Sequence, residues 1–326
     1  MSSQKKNLKW EISEQNRNVH TVRMVADNSK WEQYFLLSSD RHHDNAHTKH
    51  ELELKHLNMA QERGAGVIDV GDMHCAMQGK WDKRSDLTAT RPEQQQGRYI
   101  DSLVECAADF YAPYSESFVV IGRGNHETSI LKRHETDLTE RTCERMSAIS
   151  GTRVHSGGYG GWVRFMISFN NSRCQCNMKY FHGSGGGGPV TRGVIQTNRM
   201  AVIYPQAHIV VSGHTHDQWI VPIAREKLYK SGKVGMDEAL HVRCGTYKDE
   251  YQDGFGGWNV ARLQNRLVLC GYVFMWRVRE IIQSAGRLSG RNSLFSPRQA
   301  SAHGTVGRGF VYKRITPVCF SLGVIL

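Results

Sequence analysis

Several apolar runs in this chain end in the same way. Val67-Ile68-Asp69-Val70 closes on Gly71-Asp72, and Phe35-Leu36-Leu37-Ser38-Ser39 runs into Asp40-Arg41-His42. Phe118-Val119-Val120-Ile121 leads to Gly124-Asn125-His126-Glu127, and His208-Ile209-Val210-Val211 leads to Gly213-His214-Thr215-His216. A further run, Met178-Lys179-Tyr180-Phe181, is followed by His182. A short β-branched run closed by glycine and a polar side chain reads as a buried strand whose last residues reach the C-terminal edge of a sheet. Strand ends that deliver Asp, His, Asn and His to one rim make a metal site.

The segments between these runs supply the rest of an α/β pattern. Lys49 to Arg63 places Leu52, Leu54, Leu57, Met59 and Ala60 among charges, which predicts a helix. Gly64-Ala65-Gly66 ends it and opens the next strand, giving a β-α-β unit. A second helix is expected from Glu93 to Tyr111, stopped by Pro113, and a third from Thr136 to Ile149 with Thr136 and Thr139 as caps. After Ile149 the texture changes. Trp162 to Ile167 and Cys176 to Phe181 read as an antiparallel pair, Val190 to Tyr204 as a helix, and Ile220, Val242 and Leu267 to Trp276 as strands finishing a second sheet. Residues 1–32 read as a polar lead with Trp10 and Trp31 as anchors.

The formal charge of +11 is unevenly placed. From Arg277 to Leu326 there are eight Lys/Arg and one acid, 8 − 1 = +7, which leaves 34 − 30 = +4 for residues 1–276. The basicity belongs mainly to a tail without apolar periodicity, expected to stand apart from the core formed by residues 33–276. Two readings of that tail compete: a basic arm for nucleic acid, or an appended segment with no function, which the apolar finish from Val318 to Leu326 favours. No apolar run reaches the roughly eighteen residues of a membrane span. The start lacks the apolar stretch of a signal peptide, and the eight cysteines form no CxxC pair, so a reducing cytoplasm is the expected location.

Asp40-x-His42, Gly71-Asp72, Gly124-Asn125-His126-Glu127, His182 and Gly213-His214-x-His216 occur in that order. The ordered set closely resembles the calcineurin-like metallophosphoesterase superfamily from about residue 33 to residue 250, and the wording around the motifs is similar to a phage-associated branch. The resemblance implies a four-layer α/β/β/α sandwich of two mixed sheets flanked by helices. It implies two divalent metal ions, Mn²⁺ first with Fe or Zn²⁺ as alternatives. One ion takes Asp40, His42 and His216, the other takes Asn125, His182 and His214, and Asp72 bridges both. The implied reaction is hydrolysis of a phosphoric ester by a metal-bridging hydroxide, with His126 as general acid.

The resemblance leaves the substrate open. A phosphodiesterase or nuclease, with nucleic acid as a partner, is the first reading. A phosphomonoesterase acting on a phosphoprotein or nucleotide is the alternative, and a non-catalytic binding module on the same scaffold is a third. Arg123 is a candidate to hold a substrate phosphate, against a solvated loop arginine; Glu127 is a candidate for substrate or for orienting His126. Cys75 departs from the Asp or Asn that many members carry there. His43, His47, His50, His56, His74 and His134 read as surface histidines, with His43 and His74 set apart because each lies within two residues of a ligand. Cys174 and Cys176 read as two strand positions on one face. The glycines after His182 either cradle a phosphate or form a turn. Tyr247, Tyr251 and Trp258 read as core or rim packing in preference to base stacking.

Overall fold

The computed structural model describes residues 10–28, 31–78, 82–83, 85–186, 191, 193–229 and 231–249, with the backbone of 272–277 and 321–324. The order begins with β1 (Trp10–Asn16), β2 (Val19–Val25), β3 (Glu32–Ser38), α1 (His50–Glu62) and β4 (Gly66–Asp69). It continues with α2 (Tyr99–Tyr111), β5 (Phe118–Ile121), α3 (Asn125–His134), α4 (Leu138–Ser150), β6 (Gly160–Phe169) and β7 (Ser172–Phe181). Then come α5 (Val194–Ile203), β8 (Ile209–Ser212), β9 (Trp219–Leu228), β10 (Val234–Arg243), β11 (Tyr272–Arg277) and β12 (Ser321–Val324).

Among the described residues these strands form two mixed sheets, one of seven strands in the order β1-β2-β6-β7-β8-β10-β9 and one of five in the order β12-β11-β3-β4-β5. In the smaller sheet β3, β4 and β5 run parallel, as helical crossovers require. In the larger one β7 and β8 run parallel while β6 and β7 pair antiparallel. One core fills the space between the sheets, with Phe35, Leu37, Ile68 and Val120 from one meeting Val22, Phe165, Met178 and Val211 from the other. A second core covers the outer face of the smaller sheet, where Leu36, Val67 and Phe118 meet Leu57, Ala107, Tyr111 and Met146 of α1, α2 and α4. On the far side Met200 of α5 packs on Val210, with Trp162 and Tyr204 against it. The result is the four-layer α/β/β/α arrangement, two sheets flanked by helices.

Several sequence expectations change. The polar lead is a hairpin: β1 pairs antiparallel with β2, β2 adds parallel to β6, and Trp10, Val22, Met24 and Trp31 are buried in the central core. Polar residues dominate β1, and two in β2, His20 and Thr21, are buried beside Val22. The strand near Trp276 joins the smaller sheet beside β3, because β11 pairs antiparallel with Glu32 to Leu37. Of the tail, Ser321–Val324 pairs with β11 at the sheet's edge; the remainder lies outside the described residues. Cys174 and Cys176 do share a face, both against the central core.

The cap of α4 is Asp137, whose side chain accepts from the Glu140 N–H at 3.2 Å, and neither Thr136 nor Thr139 takes that place. Arg17 and Arg123 both ion-pair with the same Asp137 carboxylate. Burial alone raises an acid's pKa, but the Arg17 hydrogen bond, the Glu140 N–H and the Arg123 charge hold Asp137 below its ordinary value. Its stabilisation is therefore complete above the unfolded value of about 3.9 and fades as pH falls through the lower folded value. Asp137→Ala is expected to destabilise the fold by about 1–2 kcal/mol in urea titrations at pH 7, the upper range for a lost cap, and by progressively less as pH falls below the unfolded value of about 3.9.

Candidate metal centre

Five strands stop at one place. The C-terminal ends of β3, β4 and β5 come from the smaller sheet, those of β7 and β8 from the larger, and each is followed by polar residues. Short hydrogen bonds lock the loops together: Asp40 N–H donates to Gly71 O at 2.9 Å, His42 N–H to Asp72 O at 3.0 Å, and Gly213 N–H to His182 O at 2.8 Å. The Asp40 carbonyl accepts from Thr246 Oγ1 at 2.8 Å and from the Tyr247 N–H at 3.1 Å.

Two donor groups result. In the first, His42 Nε2 and His216 Nε2 face each other at 3.2 Å, with Asp40 Oδ1 3.3 Å from His216 Nε2 and 3.9 Å from His42 Nε2. In the second, Asp72 Oδ2 is 3.1 Å from His182 Nε2, and Asn125 Oδ1 lies 3.1 Å from His182 Nε2 and 2.6 Å from His214 Nδ1. Both carboxylates divide their work. Asp40 Oδ2 accepts from the His214 N–H at 2.9 Å, and Asp72 Oδ1 accepts from the His126 N–H at 3.0 Å, which leaves one oxygen of each toward the imidazoles.

The backbone is strained here. Asp40, His42, Asp72, His214 and His216 all have positive φ, between 47° and 75°, a region that side-chain-bearing residues rarely adopt. Glycine is required beside them. A methyl group on Gly213 would lie 1.9 Å from Ser39 Oγ and 2.4 Å from Asp40 Oδ2, and one on Gly124 would lie 2.0 Å from Asp72 Oδ1.

The donors fit divalent transition metals. Each of the groups Asp40–His42–His216 and Asp72–His182–His214 offers three ligand atoms within 4.8 Å of one another, mixing carboxylate with imidazole. Burial, reinforced by His126 and His216, pushes His42 well below its ordinary value, and burial with His182 lowers His214, so both are neutral imidazoles ready to ligate. For His182 burial acts downward, yet Asp72 and Asp40 raise it to about 9. A proton on His182 thus occupies a place where the surrounding carboxylates favour a cation. Metal binding would displace it.

His126 sits at the rim of both groups. Its Nε2 is 3.7 Å from Asp72 Oδ2, and its Nδ1 lies against the Cys75 carbonyl. A carbonyl only accepts, so Nδ1 carries hydrogen and Nε2 is the atom that exchanges protons toward the cluster. The unusual Cys75 therefore contributes through its backbone, while its side chain takes a weak 3.5 Å contact from Asn45 Nδ2.

Two candidate substrate residues take other roles. Glu127 is buried, with Oε1 accepting from the His74 N–H at 2.8 Å and Oε2 from the Gly124 N–H at 2.9 Å, so it ties the Asp72 loop to the start of α3. Burial and the Asp72 charge push it up to about 8, against those N–H bonds. Arg123 is neither a free phosphate anchor nor a solvated loop residue, because its guanidinium is ion-paired to Asp137 and mostly buried. His43 and His74 are buried rather than on the surface, His74 with Nε2 3.1 Å from Thr142 Oγ1. Tyr247 is buried with its hydroxyl 3.0 Å from His56 Nδ1, whereas Tyr251 and Trp258 lie outside the described residues. In the glycine run Gly183 accepts from the Tyr159 hydroxyl at 2.6 Å, and residues 187–190 lie outside the described residues.

No family model matches the chain, and no curated protein matches it. Among solved structures, one similar chain is a conserved uncharacterised protein from Streptococcus pneumoniae TIGR4, described as a predicted phosphoesterase. It is 11% identical, with 75% of this chain and 83% of that one covered at a TM-score of 0.28. Another is GAP50, the anchor in the inner membrane complex of Plasmodium, 10% identical, with 76% of this chain and 82% of that one covered at a TM-score of 0.41. Superpositions this loose decide nothing about chemistry.

Two supports escaped the sequence reading. Arg243, buried on β10, donates from Nη1 to Thr215 Oγ1 at 2.6 Å and so fixes the residue between His214 and His216. Arg41, read only as the spacer between two ligands, is buried with Nε 2.5 Å from Asp69 Oδ2 and Nη1 2.5 Å from Glu53 Oε1. Burial works against its charge, but Asp69 and Glu53 outweigh that and raise its pKa well above the ordinary value. The Asp69 within an otherwise apolar run was the one available signal. Among the described residues no helix is long and apolar enough to cross a membrane.

Proposed function

We propose that this chain is a metal-dependent phosphoric-ester hydrolase, with Asp40, His42 and His216 holding one divalent ion, Asn125, His182 and His214 holding a second, and Asp72 shared between them. The observation that carries the reading is the convergence of five strand ends from two facing sheets on two neighbouring carboxylate–imidazole groups. Bound there, the ions supply positive charge to the phosphoryl oxygens and lower the pKa of a water, with Mn²⁺ the first choice for this donor set.

The chain's own residues do the rest. Asp72 Oδ1 holds the His126 N–H, which fixes the start of α3 beside the proposed metal ligands. Glu127 fixes that helix start to the Asp72 loop. His126, oriented through the Cys75 carbonyl, protonates the leaving oxygen from Nε2. An acid placed this way serves an alkoxide leaving group, whether of a diester such as nucleic acid or of an alkyl monoester; the phosphodiester is our first reading. A phosphomonoester is the second reading. Turnover of bis-p-nitrophenyl phosphate against p-nitrophenyl phosphate with added Mn²⁺ separates the two.

His126→Ala is expected to lower turnover of alkyl esters by about 10²–10⁴-fold, the usual worth of general-acid assistance. Nitrophenyl esters, whose leaving group needs little help, should lose much less. Equal losses on both would make His126 a positioning residue and remove the acid from the scheme.

A further inference from the structure

A third cluster of metal-binding side chains lies where the N-terminal hairpin meets the loop before β6. Glu14 of β1 and His20 of β2 are cross-strand partners, and His155 joins them from the loop after α4. One ligand atom from each residue lies within 4.8 Å of the others. Glu14 Oε2 is 3.0 Å from His155 Nδ1, and the His20 and His155 rings meet edge to face with centroids 5.6 Å apart. None of the three belongs to the donor groups at the strand ends.

His20 has no exposed surface, and neither of its ring nitrogens has a hydrogen-bond partner among the described residues. A buried imidazole left wholly unpaired is costly, and most buried polar groups avoid it. The cluster is also reachable: Ile12, Glu14, Asn16, Thr152, Arg153 and His155 line an adjoining cleft of about 540 Å³.

The geometry points to a further divalent-metal site formed by Glu14, His20 and His155, suited to Zn²⁺ and independent of the hydrolytic centre. Two imidazoles and a carboxylate leaving a fourth position open is a zinc donor set. Donors about 2.0–2.1 Å from a tetrahedral ion lie about 3.3 Å apart, close to the separation of Glu14 and His155. The competing contact is Arg153, whose Nη2 is 2.7 Å from Glu14 Oε2 but whose side chain is 76% exposed and free to swing away. An ion here would fasten β1 and β2 to the loop that leads into β6.

Zinc stoichiometry in the full-length protein tests this, by titration against a chromophoric chelator at pH 7 after metal removal. Wild type is expected to bind one more Zn²⁺ than either Glu14→Gln or His155→Ala, and Asp72→Asn is expected to keep that extra ion while losing metal at the strand ends. Loss in Asp72→Asn but not in Glu14→Gln or His155→Ala overturns this site and leaves the hydrolytic reading intact. Zinc-edge anomalous scattering from wild-type crystals needs no substitution: a peak bounded by Glu14, His20 and His155 supports the site. A peak at the strand ends with none here refutes it.

Discussion

Asp72→Asn is expected to lower metal-dependent hydrolysis by roughly 10³-fold or more while the fold survives. Removing a single electrostatic contact from a transition state costs about 10²–10³-fold, and Asp72 is placed to serve two ions at once. The substitution keeps Oδ1 available to the His126 N–H, so the start of α3 should hold. Asn lacks the charge that, against the opposing effect of burial, His182 and His126 stabilise by holding Asp72 well below its ordinary pKa. Circular dichroism should therefore look native while metal content falls. Dialysis against EDTA should mimic the substitution in the wild type, and Mn²⁺ should restore it. Full activity in excess chelator after prolonged dialysis would remove metal from the mechanism.

Arg41→Met is expected to destabilise the protein by about 3–5 kcal/mol, the usual result of removing one partner from a buried ion pair. Asp69 and Glu53 would be left without their cation, with Ser38, Tyr111 and the Gly71 N–H as the remaining donors among the described residues. Urea unfolding measures the loss. Replacing Asp69 and Glu53 by leucine in the same background should regain much of it, because burying no charge costs less than burying unpaired ones. If the triple replacement is as unstable as Arg41→Met, packing around Arg41 rather than charge holds this region, and the rings of Tyr111, Phe118 and Tyr247 about its guanidinium are the reason.

The parts of this fold that were legible in the sequence are those with local signals. A buried strand followed by Gly and a ligand is compact enough to read, and β3, β4, β5, β7 and β8 all carry that signature. Helix α3 was missed because Asn125 and His126 draw attention as a ligand and an acid, although Glu127 three residues after Gly124 is a capping signal in plain view. The β1–β2 hairpin was missed because polar residues dominate its composition, some of them buried. Arg41 pairs with residues 12 and 28 positions away, and Glu14 meets His155 across 141, distances at which no periodicity survives. Contacts set by the packing of one sheet on another have no short-range trace.

The left-handed backbone at the strand ends bears on how the stability of the fold is spent. Each side-chain-bearing residue held there costs about 1–2 kcal/mol, so Asp40, His42, Asp72, His214 and His216 together set about 5–10 kcal/mol against a net stability of about 5–15 kcal/mol. Glycine at any of those positions would relieve the backbone cost but remove the side chain, and at Asp40 and Asp72 it would also remove the acceptors of the His214 and His126 N–H groups. All five still carry the costly residue. The cost falls on the side chains that converge at the strand ends, so the stability of the fold and the placing of those donors are set by the same five residues.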